Sequence, residues 1–170
     1  MPRMLPDTFL GHMPDALARL RAAGQRVVTA ESCTGGLLAA ALTEAAGASD
    51  VVCGGFVTYS NSMKHHALGV PLKLLEEYGA VSREVAAAMA QGALGHAPDA
   101  NLSVAITGVA GPGGATSGKP VGLVWFAVAG SGTVHTVSHN FAGERWDIRT
   151  QAVRAALGLL LDHAGRLAAE

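Results

Sequence analysis

The stretch V-V-T-A-E-S-C-T-G-G-L-L, residues 27–38, decides the fold because its character changes halfway along. Residues 26–30 predict a first strand, and the leucines at 37 and 38 belong to the apolar pattern of a helix over 34–46. Gly35 and Gly36 would weaken that helix unless the backbone there must approach something closely. The stretch therefore predicts a strand, a tight turn and a helix N-terminus in direct succession.

The predicted turn presents Glu31, Ser32, Cys33 and Thr34. The first N–H groups of a helix have no partner inside the helix, and the helix dipole leaves that end partly positive. Such a turn can hold an anion or the oxyanion of a reaction intermediate. The simpler alternative, and the more frequent one for such a stretch, is a plain connection in which Ser32 or Thr34 caps the helix.

The bulk properties of the 170 residues suit one α/β domain and exclude several classes of partner. Twelve Lys and Arg against 13 Asp and Glu argue against a nucleic-acid surface. No apolar run approaches the ~20 residues of a membrane span, and the N-terminus lacks the apolar core of a secretory signal. Cys33 and Cys53 are too few for a disulfide framework or a zinc site, which favours the cytoplasm.

Strands and helices alternate along the chain until a late hairpin breaks the order. This pattern predicts a three-layer α/β/α sandwich with a mixed, mostly parallel sheet and helices on both faces. The predicted strands are 26–30, 51–60 with a break at Gly54-Gly55, 101–107, and the hairpin 121–129 and 133–141. The predicted helices run from Asp7 or Thr8 to Gly24, and then over 34–46, 61–68, 72–78, 82–95 and from 143 or 144 onward.

Three polar clusters follow predicted strands, where open α/β sheets place their sites. They are the turn itself, T-Y-S-N at 58–61 with Lys64, and the strand that runs into a glycine loop at 106–114. Taken singly, the ordinary alternatives are favoured: Lys64 as a solvated surface lysine, Tyr59 as a half-buried strand residue and Thr107 as a β-branched strand residue. Convergence of the three on one sheet edge would be harder to explain by packing.

Two nucleotide motifs and a metal site are rejected. Residues 113–119 match the start of a phosphate-binding P-loop, but Pro120 stands where Ser or Thr must hold magnesium, and a strand follows instead of a helix. No G-x-G-x-x-G motif opens a helix after the first strand, so a dinucleotide redox fold is not expected. His135 and His139 share a strand face and could bind metal, but an exposed polar face is favoured, and we expect no metal or other cofactor.

Five segments, in the right order, resemble the CinA C-terminal domain family, over about residues 13–165. The quoted segments are T-A-E-S-C-T-G-G-L-L (29–38), G-G-F-V-T-Y-S-N with Lys64 and L-G-V-P (54–71), G-A-V-S (79–82), A-I-T-G-V-A-G-P-G-G (105–114) and K-P-V-G (119–122). Larger proteins of the family carry an additional N-terminal domain that resembles molybdenum-cofactor-binding proteins. The length of this chain predicts the stand-alone form, one domain over 1–170, without any pyrophosphatase activity of that other domain.

The resemblance implies a nicotinamide-nucleotide amidohydrolase. Such an enzyme hydrolyses the carboxamide of nicotinamide mononucleotide to nicotinate mononucleotide and ammonia, in pyridine nucleotide recycling. It implies a small-molecule nucleotide as partner, no nucleic acid, no membrane, and a homodimer or higher homo-oligomer in the cytoplasm. The alternative from another class is a noncatalytic nucleotide-binding or competence-related interaction module, against which the intact Ser32, Tyr59 and Lys64 argue.

By this resemblance, Ser32 is the nucleophile, Lys64 is the base and Tyr59 assists proton transfer. Lys64 must then be neutral, which burial or the positive pyridinium of the substrate would favour. Cys33 is a rival nucleophile, since helix N-termini activate thiolates, but it ranks second. Glu31 is expected to be a structural acceptor, because a carboxylate beside an oxyanion would oppose catalysis.

The expected substrate contacts come from both glycine-rich segments and the last helix. Backbone N–H groups at 33–36 are candidates for an oxyanion hole, and the loop 108–114 is a candidate for the ribose phosphate or for closing over the ring. Arg145 is a weaker phosphate candidate. The full set of expected substrate-binding residues is Cys33, Thr34, Gly35, Gly36, Asn61, Thr107, Gly108, Gly111, Gly113, Gly114 and Arg145.

Overall fold

The computed structural model describes residue 5 and residues 7–167. The five strands in that part of the chain are β1 Val27–Glu31, β2 Val52–Val57, β3 Leu102–Gly108, β4 Leu123–Gly130 and β5 Thr133–Asn140. The helices are α1 Asp7–Leu10, α2 Met13–Ala22, α3 Leu37–Glu44, α4 Asn61–Leu68, α5 Leu72–Tyr78, α6 Arg83–His96 and α7 Arg145–Leu167, with a short 3-10 turn at Ala48–Asp50.

The strands form one sheet in the order β2-β1-β3-β4-β5. β1 lies parallel to both β2 and β3, whereas β4 is antiparallel to its neighbours β3 and β5. Four strands therefore run in one direction and β4 runs against them, which confirms the predicted mixed, mostly parallel sheet with a late hairpin.

Helices cover both faces of the sheet, as predicted. On one face α2, α3 and α7 pack onto β-strand residues such as Ile106 and Phe126. On the other face α4, α5 and α6 pack onto smaller residues such as Ala30 and Ala105. Neighbouring residues of β3 thus enter opposite layers, because side chains alternate along a strand. No helix in the described part of the chain is both long and apolar enough to cross a membrane.

The single helix expected from Asp7 or Thr8 to Gly24 is wrong in one respect, because the structure divides it into α1 and α2. Gly11 N–H bonds to the Asp7 carbonyl and closes the first helix. Pro14 then lies in the first turn of α2, where a missing N–H is tolerated, but it could not donate to the Leu10 carbonyl of a continuous helix.

The expected irregularity at Gly54-Gly55 is confirmed in β2. The register with β1 shifts there, since Val27 faces Val52 but Val28 faces Gly54. A Cβ on Gly55 would lie 2.4 Å from Thr29 Oγ1, so only glycine lets the two strands approach this closely. β2 is shorter than the 51–60 expected, and its end releases the Thr58–Asn61 segment to the edge of the sheet.

Candidate active site

Ser32 and Lys64, which lie 32 residues apart in the chain, meet where β1 and β2 end. Ser32 directly follows β1, and its N–H donates to the Ile106 carbonyl of β3. Lys64 lies in the first turn of α4, a helix capped by Ser60, whose Oγ accepts the Met63 N–H. The Lys64 Nζ lies 3.0 Å from the Ser32 Oγ. The structure therefore brings the first and second polar clusters into direct contact.

Lys64 is 1% exposed, so the favoured expectation of a solvated surface lysine is wrong. Burial lowers the pKa of Lys64 to about 8, and the nearby Cys33 thiol opposes this shift only in part. The Nζ donates to the carbonyls of Thr58 (3.0 Å) and Tyr59 (3.2 Å). When the amine is neutral, these two bonds use both N–H groups, and the lone pair is left to accept the hydroxyl proton of Ser32.

Cys33 is buried beside Ser32 but is poorly suited to attack a substrate. Burial, opposed in part by a backbone hydrogen bond, raises the pKa of the Cys33 thiol to about 11. A thiol with that pKa stays protonated at neutral pH, and the thiolate is the reactive form. The helix N-terminus does not offset the cost of burial here. This argues against Cys33 as nucleophile.

Glu31, the last residue of β1, holds the start of α3 from inside the protein. Its side chain is fully buried and accepts five hydrogen bonds. The donors are Thr34 Oγ1 (2.7 Å), Thr29 Oγ1 (3.3 Å) and the N–H groups of Gly36 (3.1 Å), Leu38 (3.1 Å) and Ala39 (2.9 Å). The carboxylate thus satisfies the free N–H groups of the helix start, which fits the structural role expected for it.

The alternative in which Ser32 or Thr34 caps the helix is wrong. The N-cap of α3 is Gly36, which has a φ of 94° and provides no side chain. Because Gly35 and Gly36 both take positive φ values, the chain turns from β1 into α3 in the space of a few residues. The helix accordingly begins at Leu37 and not at residue 34.

The backbone N–H groups of the turn are not equally available. Gly35 N–H donates to the Ser32 carbonyl, and Gly36 N–H donates to Glu31. The N–H groups of Cys33 and Thr34 donate to no carbonyl or carboxylate in the described part of the chain. Of the four amides expected to form an oxyanion hole, only that of Cys33 remains for a ligand, because Thr34 is fully buried.

A pocket of about 170 Å³ opens beside the Ser32–Lys64 pair. Thr107, expected to be an ordinary strand residue when taken singly, lies at its wall and donates to the Ala80 carbonyl at 2.8 Å. The third polar cluster therefore joins the other two at this sheet edge. The lining residues are Ser32, Cys33, Tyr59, Lys64, Ala80, Val81, Thr107, Gly108, Ala110 and Arg145.

Several residues expected to bind substrate do not line this pocket. Thr34 turns its hydroxyl to Glu31, and Asn61 is exposed at the first position of α4. The remaining residues lie in the turn backbone or farther along the loop after β3: Gly35, Gly36, Gly111, Gly113 and Gly114.

Arg145, in the first turn of α7, connects the second cluster to the glycine loop. Its Nη2 donates to the Tyr59 hydroxyl at 3.1 Å, and its Nη1 donates to the Gly111 carbonyl at 2.6 Å. Tyr59 is 61% exposed, so the half-buried strand position expected for it is wrong. The phenol instead stands at the mouth of the pocket.

Arg149 contacts the turn but was missed by the sequence reasoning. Its Nε donates to the Cys33 carbonyl at 3.1 Å, and its Nη2 donates to the Thr34 carbonyl at 2.9 Å. The signal that could have found it is the spacing of four from Arg145, which puts both guanidinium groups on one side of the last helix.

Among the described residues, no group of three or more His, Cys, Asp or Glu side chains could hold a metal ion. His135 and His139 are exposed on β5, as the favoured polar-face interpretation expects. His139 instead stacks on Phe141, with 5.5 Å between the ring centroids.

A serine hydroxyl held against a buried amine, next to a free backbone N–H group, is the arrangement of a serine–lysine acyl-transfer hydrolase. An α/β domain with this site defines the class of protein. The model of the CinA C-terminal domain family matches residues 12–164, and the chain belongs to that family.

The curated relatives fall into two kinds. Nicotinamide-nucleotide amidohydrolase PncC from Enterobacter agglomerans is 52% identical over 136 residues, which are 79% of this chain and 82% of that protein. A CinA-like protein from Anaeromyxobacter dehalogenans (strain 2CP-1) is 50% identical over 149 residues, which are 87% of this chain but 36% of the relative. The chain therefore spans only about a third of the length of such CinA-like proteins.

Solved structures share the fold closely. The competence/damage inducible protein from Agrobacterium tumefaciens has a TM-score of 0.89 and 44% identity, covering 95% of this chain and 98% of that one. The CinA superfamily protein from Escherichia coli has a TM-score of 0.86 and 45% identity, covering 94% and 93% of the two chains.

Proposed function

We propose that the protein hydrolyses the carboxamide of nicotinamide mononucleotide to nicotinate mononucleotide and ammonia. The observation that carries the proposal is the 3.0 Å contact between the Lys64 Nζ and the Ser32 Oγ, on a wall of a pocket at the sheet edge. The 52% identity to a nicotinamide-nucleotide amidohydrolase supports the choice of substrate. The reaction serves pyridine nucleotide recycling.

In the first half of the reaction, the neutral amine of Lys64 takes the hydroxyl proton of Ser32. The Ser32 Oγ forms a bond to the carboxamide carbon, and the carbonyl oxygen becomes an oxyanion. The N–H group of Cys33, a residue that lines the pocket, stabilises this oxyanion. The Lys64 ammonium then donates its proton to the amide nitrogen, the C–N bond breaks, and ammonia leaves an ester of Ser32 behind.

In the second half, water replaces ammonia. Lys64, neutral again, takes a proton from the water as its oxygen attacks the ester carbon. The bond to the Ser32 Oγ breaks, and the hydroxyl regains the proton from Lys64. The new carboxylic acid loses its proton to solvent, and nicotinate mononucleotide is released as the carboxylate. The positive pyridinium ring of the substrate, close to Lys64, favours the neutral amine that both steps need.

The pocket size supports a proposal for where each part of the substrate binds. A volume of about 170 Å³ is below the roughly 300–1,000 Å³ of a pocket for a drug-sized ligand, so it accommodates the ring and leaves the ribose phosphate outside. The mouth is bordered by Tyr59 and Arg145, and Arg145 also contacts the loop after β3 at Gly111. We infer that the phosphate binds on this side and that Tyr59 assists the proton transfer between Ser32 and Lys64.

The proposal includes the cellular compartment and the oligomeric state of the enzyme. A metabolite substrate and two free cysteines, Cys33 and Cys53, favour the cytoplasm. We also propose a homodimer or higher homo-oligomer, by resemblance to the family. Light scattering on the purified protein measures this directly, and a monomeric mass at micromolar concentration would contradict the oligomer.

The test of the proposal is ammonia release from nicotinamide mononucleotide by the purified protein. Ser32→Ala should lower kcat by at least about 10⁴-fold while nucleotide binding persists, because the nucleophile is lost. Cys33→Ala is the matched control at the next residue, and it should keep kcat within a few-fold.

Two results would overturn parts of this account. Equal activity of Ser32→Ala and native protein would remove Ser32 as nucleophile. Native protein that binds the nucleotide in calorimetry but releases no ammonia would favour the noncatalytic binding module.

A further inference from the structure

Gly92 lies in the interior of α6, within the alanine-rich stretch A-A-A-M-A-Q-G-A-L at 86–94. Glycine is less stable than alanine in a helix interior, so the reason for it must be sought in the packing. A Cβ on Gly92 would lie 1.9 Å from the Leu68 carbonyl oxygen and 2.9 Å from the carbonyl carbon. The backbone of α4 at Leu68 therefore lies directly against α6, and only glycine leaves room for it.

The end of α4 that contacts Gly92 is connected to Lys64 through the backbone. Leu68 lies one helical turn after Lys64, and in an α-helix the Leu68 N–H bonds to the Lys64 carbonyl. The Val70 N–H donates to the same carbonyl at 3.2 Å. Leu68 and Val70 are both buried in the core layer that α6 forms on the sheet. A displacement of Leu68 is therefore passed on to Lys64.

The two members of the reacting pair belong to different parts of the fold. Ser32 follows β1, and its N–H donates to the Ile106 carbonyl, so the sheet fixes its position. Lys64 belongs to α4, which packs against α6. The helix α6 is itself attached to β3, since the Ser103 Oγ donates to the Ala90 carbonyl at 2.7 Å. The 3.0 Å distance between the Lys64 Nζ and the Ser32 Oγ therefore depends on how closely α4 approaches α6.

We propose that Gly92 is a positioning residue, whose lack of a side chain lets α4 lie close enough to α6 for the Lys64 amine to contact the Ser32 hydroxyl. This inference rests on the proposed function, since it concerns the base of the same reaction. Cβ atoms in proteins essentially never approach such atoms closer than 3.0 Å, so a methyl group on Gly92 would displace the end of α4 by about 1 Å. The longer α6 is attached to the sheet, so α4 is the helix that moves.

Such a displacement would change both the geometry and the charge state of Lys64. The Nζ would lose its close contact with the Ser32 Oγ, and a misplacement of about 1 Å can lower kcat by about 10²-fold. Burial lowers the pKa of Lys64 from its usual 10.5 to about 8. Water admitted beside the amine would reverse part of this effect, so the pKa would rise and less of the amine would be neutral at pH 7. A purely structural loss of stability would leave the pKa of the folded protein unchanged.

The first test compares Gly92→Ala with Gly95→Ala, which adds the same methyl group to the same helix where a Cβ meets nothing within 4 Å. We expect Gly92→Ala to lower kcat for ammonia release at pH 7 by about 10- to 100-fold, with KM within about 3-fold because Gly92 does not line the pocket. The midpoint of its kcat/KM–pH profile should move from about 8 towards 10.5. Gly95→Ala should match native protein in all three quantities, and circular dichroism checks that both variants are folded.

A measurement without substrate distinguishes failure of this inference from failure of the proposed function. The chain has three lysines, Lys64, Lys73 and Lys119, so NMR of protein labelled with carbon-13 at the lysine Cε follows the titration of Lys64 separately. The Lys64 midpoint should be higher in Gly92→Ala than in native protein and in Gly95→Ala. Native protein that releases no ammonia would contradict the proposed function, while a raised Lys64 midpoint in Gly92→Ala would still support the role of Gly92. If folded Gly92→Ala keeps the native midpoint, the inference is overturned.

Leu68→Ala tests the same contact from the other helix, and it decides the matter if Gly92→Ala does not fold. The Leu68 side chain is buried in the core layer of α6, so its loss loosens the end of α4 without adding volume. The Lys64 midpoint should rise, and kcat should fall by about 10-fold. Leu72→Ala, at an exposed leucine of α5, is the matched control and should change neither. Folded Leu68→Ala with the native midpoint would also overturn the inference.

Discussion

The turn after β1 and the loop after β3 are both rich in glycine, lie at the same sheet edge and are held in different ways. In the turn, side chains hold the backbone: the buried Glu31 accepts from three N–H groups, and the half-buried Arg149 donates to two carbonyls. In the loop, residues 112–118 are exposed, and Arg145 holds only the Gly111 carbonyl before that stretch.

This difference indicates a division of labour. A transition state demands donors placed within a fraction of an ångström, which requires partners that cannot move independently. A ribose phosphate can be held through looser contacts, since it does not react. We therefore expect substitutions in the turn to change kcat or folding, and substitutions in the loop to change KM or nothing.

The largest effect is expected at the base. Lys64→Met should lower kcat by at least about 10³-fold, because no other amine of the described residues contacts the Ser32 hydroxyl. Lys73→Met, an exposed lysine on α5, is the control and should match native protein. Steady-state ammonia release measures both, and substantial activity in Lys64→Met would remove the base from the account.

Glu31→Gln tests whether the turn is rigid because of its buried carboxylate. The variant replaces an acceptor oxygen by an NH₂ group that faces N–H donors, so the free energy of unfolding should fall by about 3 kcal/mol. Denaturant melts measure this, with Glu76→Gln on the exposed side of α5 as the matched control. Equal stability of the two variants would contradict the role given to Glu31.

The pH profile tests the buried amine directly. Because burial lowers the pKa of Lys64 to about 8 and the neutral form is the base, kcat/KM should rise with pH and level off above that value. Between pH 6 and pH 8 the expected rise is about 50-fold. A profile that is flat across this range, with the fold intact by circular dichroism, would exclude Lys64 as the titrating base.

Arg145→Met tests the attachment of the loop. Loss of its bonds to Tyr59 and Gly111 should raise KM by about 10-fold and lower kcat less, because the loop serves binding more than chemistry. A loss confined to kcat would contradict the expectation that the loop serves binding. It would indicate instead that Arg145 acts on the reacting carboxamide.

The smallest effect is expected at the tip of the loop. Ser117 is exposed and makes no hydrogen bond within the described residues, so Ser117→Ala should change stability by less than about 0.5 kcal/mol and KM by less than about 2-fold. A large increase in KM would mean that the tip closes over the nucleotide. The loop after β3 would then bind substrate along its whole length, in contrast to the turn after β1.

Local chemistry was enough to predict much of this protein. The hydrophobic periods and glycine positions predicted the sheet, its helices on both faces and α4 and α5 at their observed bounds. Motif order predicted the family. The break at Gly11 and the position of Tyr59 were not foreseen, because both depend on where neighbouring elements pack.

What the sequence alone determined was the inventory of the site: a serine, a lysine and a threonine, each following a strand that had to end at one edge of the sheet. What only the tertiary structure decided was the state of those groups. In the sequence Lys64 resembles any surface lysine, and only the folded chain buries it against Ser32, at the end of β1. Arg149 donates to the Cys33 and Thr34 carbonyls only because α7 packs beside the turn. Burial and long-range contact are properties of the folded chain, and they set the pKa and the direction of each donor.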